Sequence, residues 1–119
     1  MLVDFLKKDF EFENECGKLI QLVHEGWKQF NIIESRAGSV RGNHYHKYNS
    51  EAFYVIKGSF VLKVWNDDVE ESYSITSGMF FSIGPNVFHT FQYIEDTLLV
   101  SMYSRGVEIS KTEKDIWVK

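Results

Sequence analysis

The sequence predicts an all-β protein, a closed antiparallel barrel or jelly roll with little helix, built as one domain over residues 1–119. Three observations carry that expectation. Short runs of β-branched and aromatic residues recur along the chain, separated by single glycines or small polar clusters, at the spacing of an all-β barrel or sandwich. No stretch sustains a helical period. Hydrophobic residues make up 44% and aromatics 16% of the 119 residues, enough for one real core and too many for a disordered chain.

Taken in order, residues 5–12 mix apolar and charged side chains and read as an edge strand or an arm reaching over a neighbour. Residues 13–17 form a turn, 18–23 a strand and 24–26 the next turn. Residues 27–35 alternate, with Phe30 and Ile32 on one face and Asn31 and Ile33 on the other. The glycine-bearing stretch 37–43 leads into a strand holding His44 and His46. Residues 52–56 and 59–65 flank Lys57-Gly58, which reads as a compact hairpin because glycine supplies a positive φ cheaply. Within the second of these runs Phe60, Leu62 and Val64 alternate as core residues. Residues 66–68 are a loop, 72–75 a short strand, and Ser77-Gly78 turns the chain into 79–83. Gly84-Pro85-Asn86 is a strong turn. Residues 87–93 carry His89, Phe91 and Tyr93 on one face, and 97–103 form the last clear core strand. After Arg105 the alternation is weak, as in a closing strand or a tail. The total is roughly nine or ten short strands.

The formal net charge of −4 and a sequence pI near 5.5 provide no broad basic face for nucleic acid. They leave room for a small anionic ligand held by local cations such as Arg36, Arg41 or Lys47. One cysteine, Cys16, excludes an internal disulfide framework and suits a reducing compartment. The first ten residues interleave their charges and lack the apolar core of a signal peptide. No apolar run approaches the ~20 residues of a membrane span. The expectation is a cytoplasmic protein with neither nucleic-acid nor membrane partners.

Chemistry concentrates between Gly38 and Gly58. His44 and His46 are two residues apart, so on an extended strand both imidazoles leave the same face. Glu51 follows after four polar or small residues, enough to turn a corner into the next strand. Two imidazoles and a carboxylate converging on one sheet face suit a divalent metal, and His89 is the candidate for a fourth ligand. Donor identity alone leaves Zn, Mn, Fe, Ni and Co open. Arg41 and Lys47 flank the histidines and could meet a phosphate or a sugar hydroxyl. Tyr54, Tyr93 and Tyr103 are candidate acids or hydrogen-bond donors, with Tyr93 favoured because it shares a strand face with His89. An unperturbed tyrosine is a feeble base near neutral pH, so it serves better as an acid.

These motifs resemble the cupin superfamily. Gly38-x5-His44-x-His46-x4-Glu51-x6-Gly58 is similar to its first motif at every defined position. Gly78 to His89 resembles the second, with Gly84 where proline is usual, Asn86 where a second glycine is usual, and Tyr93 replacing an asparagine. The resemblance covers roughly residues 30–104 and implies a small jelly-roll barrel whose His44, His46, Glu51 and His89 hold one metal ion. A narrower resemblance, on Phe12-Glu-Asn-Glu-Cys-Gly17 and Arg41-Gly-Asn-His44-x-His46-Lys47, is to sugar-nucleotide ketoisomerases and epimerases of polysaccharide biosynthesis. Cys16 stands where those proteins carry an arginine. Ketoisomerases of that group work without metal and lack counterparts of Glu51 and His89, so this chain looks more like the metal-binding cupin domains of capsule-sugar enzymes. The resemblance implies a metal-dependent isomerase or epimerase acting on a sugar or nucleotide-linked sugar. A non-catalytic small-molecule-binding cupin and an iron-dependent dioxygenase are the alternatives. Exposed strand edges in such small barrels also imply a homodimer.

Overall fold

In order, the strands are β1 (Val3–Phe5), β2 (Phe10–Asn14), β3 (Gly17–Gln21), β4 (Gln29–Ser35), β5 (Val40–His44), β6 (Glu51–Lys57), β7 (Ser59–Trp65), β8 (Glu70–Thr76), β9 (Phe80–Ile83), β10 (Phe88–Tyr93) and β11 (Thr97–Tyr103). The structure is a computed structural model that describes residues 1–118, and among the described residues there is no helix. A five-stranded sheet, in the order β1-β9-β6-β11-β4, faces a four-stranded sheet, β5-β10-β7-β8, and all pairings are antiparallel. This is the expected jelly roll. Strands β2 and β3 pair only with each other, as a hairpin that stands apart from both sheets.

Alternation along the strands explains the core. On β7, Phe60, Leu62 and Val64 are buried while Lys63 between them is exposed, and on β10 His89, Phe91 and Tyr93 point the same way. From the facing sheet come Phe53, Val55, Phe81, Ile83 and Leu99. Aromatic rings bind the two layers together, with Phe53 against Phe91 at 4.9 Å and Phe60 against Phe81 at 6.3 Å between centroids. Each such side chain contributes about 1.5–3 kcal/mol when it leaves water. A second apolar cluster (Ala52, Phe80 and Met102) lies on the outer face of the five-stranded sheet, covered by Leu6, Leu22, Val23 and Trp27.

Two elements differ from the sequence reading. Residues 5–12 are not one arm: Phe5 ends β1, which is paired within the chain to β9, whereas Phe10 opens the hairpin. Lys57-Gly58 is not a hairpin turn. Strand β6 has β9 and β11 as its neighbours and β7 has β8 and β10, so the chain crosses from one sheet to the other at Gly58. Gly58 has φ +110, and a Cβ there would lie 2.6 Å from the Asp96 carbonyl oxygen and 2.7 Å from Thr97 Cα, so the corner tolerates only glycine. Among the described residues, those after Arg105 form no regular strand; isolated bridges join Tyr45 to Trp117 and Glu108 to Lys114.

Candidate functional site

His44 closes β5 and His89 lies near the start of β10, and the two are directly paired across the ladder. A β-bulge adjoins them. From His89 to Thr90 the partner steps from His44 to Gly42, leaving Asn43, at φ 65, as the extra residue. The bulge shifts the parity of β5. Phe91 then pairs with Arg41, so Arg41 faces inward with His44 although the two are three residues apart. His46 lies just past β5, fully enclosed, and Glu51 opens β6 beside it.

The imidazole nitrogens of His44, His46 and His89 approach within 4.8 Å of one another. Glu51 Oε1 lies 3.0 Å from His46 Nε2 and 3.8 Å from His89 Nε2. All four residues that the spacing marks out therefore come together. Main-chain carbonyls select the tautomers. His46 Nδ1 is 2.6 Å from the Asp115 carbonyl oxygen and His89 Nδ1 is 3.1 Å from that of Val87. A carbonyl only accepts, so each Nδ1 donates and each Nε2 turns toward Glu51. Burial, reinforced by the neighbouring imidazoles, pushes the His89 pKa down to about 3. Burial and His46 also lower that of His44. Burial opposes protonation of His46 too, but the hydrogen bond and charge of Glu51 prevail and raise it.

With Nδ1 committed, the His46 Nε2 lone pair faces a carboxylate oxygen. Either a shared proton or a cation reconciles two such acceptors. Three imidazoles, two of them with the far nitrogen fixed by a hydrogen bond, together with one carboxylate, are a donor set that fits a divalent transition metal.

The site opens into a cavity of about 300 Å³. Its polar lining is Arg41, His44, Glu51, His89, Tyr93 and Tyr103, and Ile33, Phe53, Phe91 and Leu99 supply apolar walls. Arg41 is held in place, Nε donating to Ser35 Oγ at 2.8 Å and Nη2 to the Glu34 carbonyl at 3.0 Å. Ser35 and the Arg41 charge favour the Tyr93 phenolate. Burial nevertheless raises the Tyr93 pKa, so the phenol stays protonated. Tyr103 is raised further, by burial and by the Glu51 carboxylate paired beside it.

Lys47 is placed elsewhere. Its Nζ sits 3.8 Å from the centroid of the Trp117 ring, outside the cavity lining, and its backbone N–H donates to Asp115 Oδ1. Tyr54 belongs to the outer cluster on the far side of the sheet. The sequence reading missed Asn49 and Asp115, both fully buried, which fix the loop carrying His46 to Glu51. The one available signal was the lack of any aliphatic residue in 47–50, where Asn49 needs internal hydrogen-bond partners wherever it is buried.

Two facing antiparallel sheets in jelly-roll order, with histidines and a glutamate from the first motif opposite His89, define a cupin-type barrel. The profile of the polysaccharide biosynthesis C-terminal domain family matches residues 13–112, and the chain belongs to that family. Among solved structures, QdtA, a sugar 3,4-ketoisomerase from Thermoanaerobacterium thermosaccharolyticum in complex with TDP, superposes with a TM-score of 0.80 at 20% identity. That match covers 99% of this chain and 88% of QdtA. The dTDP-4-dehydrorhamnose 3,5-epimerase of Sulfolobus tokodaii gives 0.72 at 20% identity, over 95% and 80% of the two chains. The capsular polysaccharide assembling protein CapF of Staphylococcus aureus gives 0.69 at 17% identity, over 92% of this chain and 33% of CapF. At these identities the likeness is one of fold. No curated protein matches the chain by sequence. No helix among the described residues is long and apolar enough to cross a membrane.

Proposed function

We propose that this domain is a metal-dependent isomerase or epimerase of a sugar or nucleotide-linked sugar in polysaccharide biosynthesis. The observation that carries the reading is the convergence of His44, His46, His89 and Glu51 on one cavity that also holds a positioned arginine and a protonated tyrosine. Family membership and the fold shared with a ketoisomerase and an epimerase support it. The four residues would hold one divalent ion, which when bound supplies a Lewis acid beside a substrate oxygen.

The chain's own groups have separate tasks. A cavity of about 300 Å³ suits one sugar ring, so a nucleotide would lie across the mouth. Arg41, with Nε and one Nη2 hydrogen committed to the protein, keeps its remaining N–H groups for an anionic or hydroxyl oxygen. Tyr93 lines the same cavity as Arg41. Its raised pKa makes Tyr93 a proton donor to a developing alkoxide rather than a base. The apolar walls exclude water and strengthen these contacts.

The test is solvent deuterium exchange into a panel of nucleotide-linked and free sugars, comparing metal-loaded wild type with Glu51→Ala and Tyr93→Phe. Exchange by the wild type, reduced in both variants, is the expected result. No exchange across the panel by fully loaded protein would turn the assignment to a non-catalytic binding cupin. We further infer a homodimer, because the β2–β3 hairpin pairs only with itself and exposes Phe10, Phe12 and Leu19. Light scattering at micromolar concentration that gives the mass of one chain would reject it. The cytoplasm is the proposed compartment, supported by the exposed free thiol of Cys16.

A further inference from the structure

Residues 107–118 form no regular strand, yet one side chain in this segment is among the most enclosed polar groups in the molecule. Asp115 is fully buried, and its carboxylate accepts four hydrogen bonds. Oδ1 accepts from the Lys47 backbone N–H at 2.8 Å and from Trp117 Nε1 at 2.8 Å. Oδ2 accepts from the Tyr48 backbone N–H and from Asn49 Nδ2, each at 2.9 Å. Asn49 carries the connection onward, accepting from the backbone N–H groups of Arg105 and Gly106 and donating to the Gly106 carbonyl. The Asp115 main-chain carbonyl meets His46 Nδ1 at 2.6 Å. The segment is pinned on both sides of this contact, by Asp115 N–H to the Val107 carbonyl and by the two-way bridge between Tyr45 and Trp117.

We propose that Asp115 is a positioning residue, whose carboxylate locks the C-terminal segment onto the loop between β5 and β6 so that its own carbonyl sets the tautomer and direction of the His46 ring. The inference rests on the metal reading above, but concerns residues beyond the family match, which ends at residue 112. Three hydrogen bonds run from Lys47, Tyr48 and Asn49 to the carboxylate, so the side chain fixes the loop, and the loop carries His46 at one end and Glu51 at the other. Removing the carboxylate leaves four donors without their acceptor and lets the carbonyl drift from His46 Nδ1. His46 Nε2 then points at Glu51 only part of the time. Loss of such an outer hydrogen-bond partner typically lowers metal affinity 10–100-fold.

The full chain, stripped with chelator, is titrated with Co²⁺ and followed by visible absorption, for wild type, Asp115→Ala and the milder Asp115→Asn. The His46 Nδ1–H resonance is followed in the metal-free proteins. The expected result is a slowly exchanging Nδ1–H in wild type and its loss in Asp115→Ala, with Co²⁺ affinity lowered roughly 10–100-fold. Asp115→Asn keeps one acceptor oxygen and falls between, and it decides the question if the alanine variant does not fold. Phe80→Leu, which loosens the cluster on the outer face of the sheet, controls for general destabilisation and should leave affinity within about twofold of wild type. A folded Asp115 variant with wild-type Co²⁺ affinity overturns the inference. So does one with a still protected Nδ1–H, whether or not the wild type takes up Co²⁺; absence of uptake by the wild type sinks the metal reading instead.

Discussion

Gly42 joins the fold to the site at a single backbone position, and its replacement by alanine has an effect that can be worked out. Its φ is +107, and a Cβ there would lie 2.6 Å from the His89 carbonyl oxygen and 3.2 Å from Thr90 Cα. Both contacts are main chain, so β10 must retreat by about 0.4 Å or more to reach even a 3.0 Å contact. The positive φ costs about 1–2 kcal/mol for an L-residue. Weakening one or two ladder hydrogen bonds adds about 1–2 kcal/mol. The sum is about 2–4 kcal/mol. An unfolding entropy near 2.1 cal/mol/K per residue gives about 0.25 kcal/mol/K for this length, so Gly42→Ala should lower the thermal midpoint by roughly 8–16 °C.

Gly38 is the internal control. It also has positive φ, +85, but nothing lies within 4 Å of the Cβ position. Gly38→Ala should cost only the conformational part, roughly 4–8 °C. The distinguishing readout is metal uptake. Gly42→Ala pushes on the residue that carries His89 and opens its pairing with His44, so Co²⁺ affinity should fall at least tenfold, whereas Gly38→Ala should leave it unchanged. Thermal denaturation followed by circular dichroism, with a Co²⁺ titration of each variant, measures both quantities. Equal midpoints for the two variants, or wild-type metal affinity in Gly42→Ala, would refute the role given to the bulge.

Two further outcomes follow from the placement of the remaining residues. His46→Ala should bind no more than a trace of metal by elemental analysis and should lose the rise in thermal midpoint that metal gives the wild type, since ligands that bind only the native state stabilise it. Arg41→Ala should raise the KM for a nucleotide-linked sugar roughly tenfold or more, the loss expected for one charge-assisted hydrogen bond, while Lys47→Ala should leave KM within about twofold, because its ammonium rests on Trp117.

The convergence of His44, His46, Glu51 and His89 was legible because it depends on short-range geometry. His44 and His46 are two residues apart, Glu51 opens the next strand, and His89 heads a strand whose inner face continues through Phe91 and Tyr93. The turn at Gly84-Pro85-Asn86 was legible too, and Asn86, standing where a glycine is usual, takes the left-handed backbone at φ 65 that asparagine accepts. Arg41 was found near the site for an incomplete reason. Strict alternation puts it opposite His44, and the Asn43 bulge that turns it inward is fixed by pairing with β10, about fifty residues away. The corner at Gly58 was misread because a glycine after an apolar strand marks a positive φ, not the partner of the next strand. That partner is set by β9 and β11 occupying both edges of β6. Asp115 left no local trace, since the partners of its carboxylate lie 66 to 68 residues earlier in the chain apart from Trp117.

The same geometry limits which group can take a proton from substrate. Tyr93 and Tyr103 are both held in the protonated form, chiefly by burial. Glu51 is enclosed by His46, His89 and Tyr103. His44 differs: it lines the cavity, is only partly buried, and burial together with His46 lowers its pKa, so it is neutral at pH 7 with a lone pair to offer. A lone pair committed to a metal ion cannot also accept a proton, so metal loading and proton abstraction by His44 exclude each other. Deuterium exchange measured against metal occupancy at pH 7 separates the two chemistries. If the proposed metal dependence holds, exchange rises from near zero in chelated protein to a maximum at one ion per chain. Exchange that is greatest in the chelated protein and declines as Co²⁺ is added, and that is lost in His44→Ala, would make His44 the base and the metal an inhibitor.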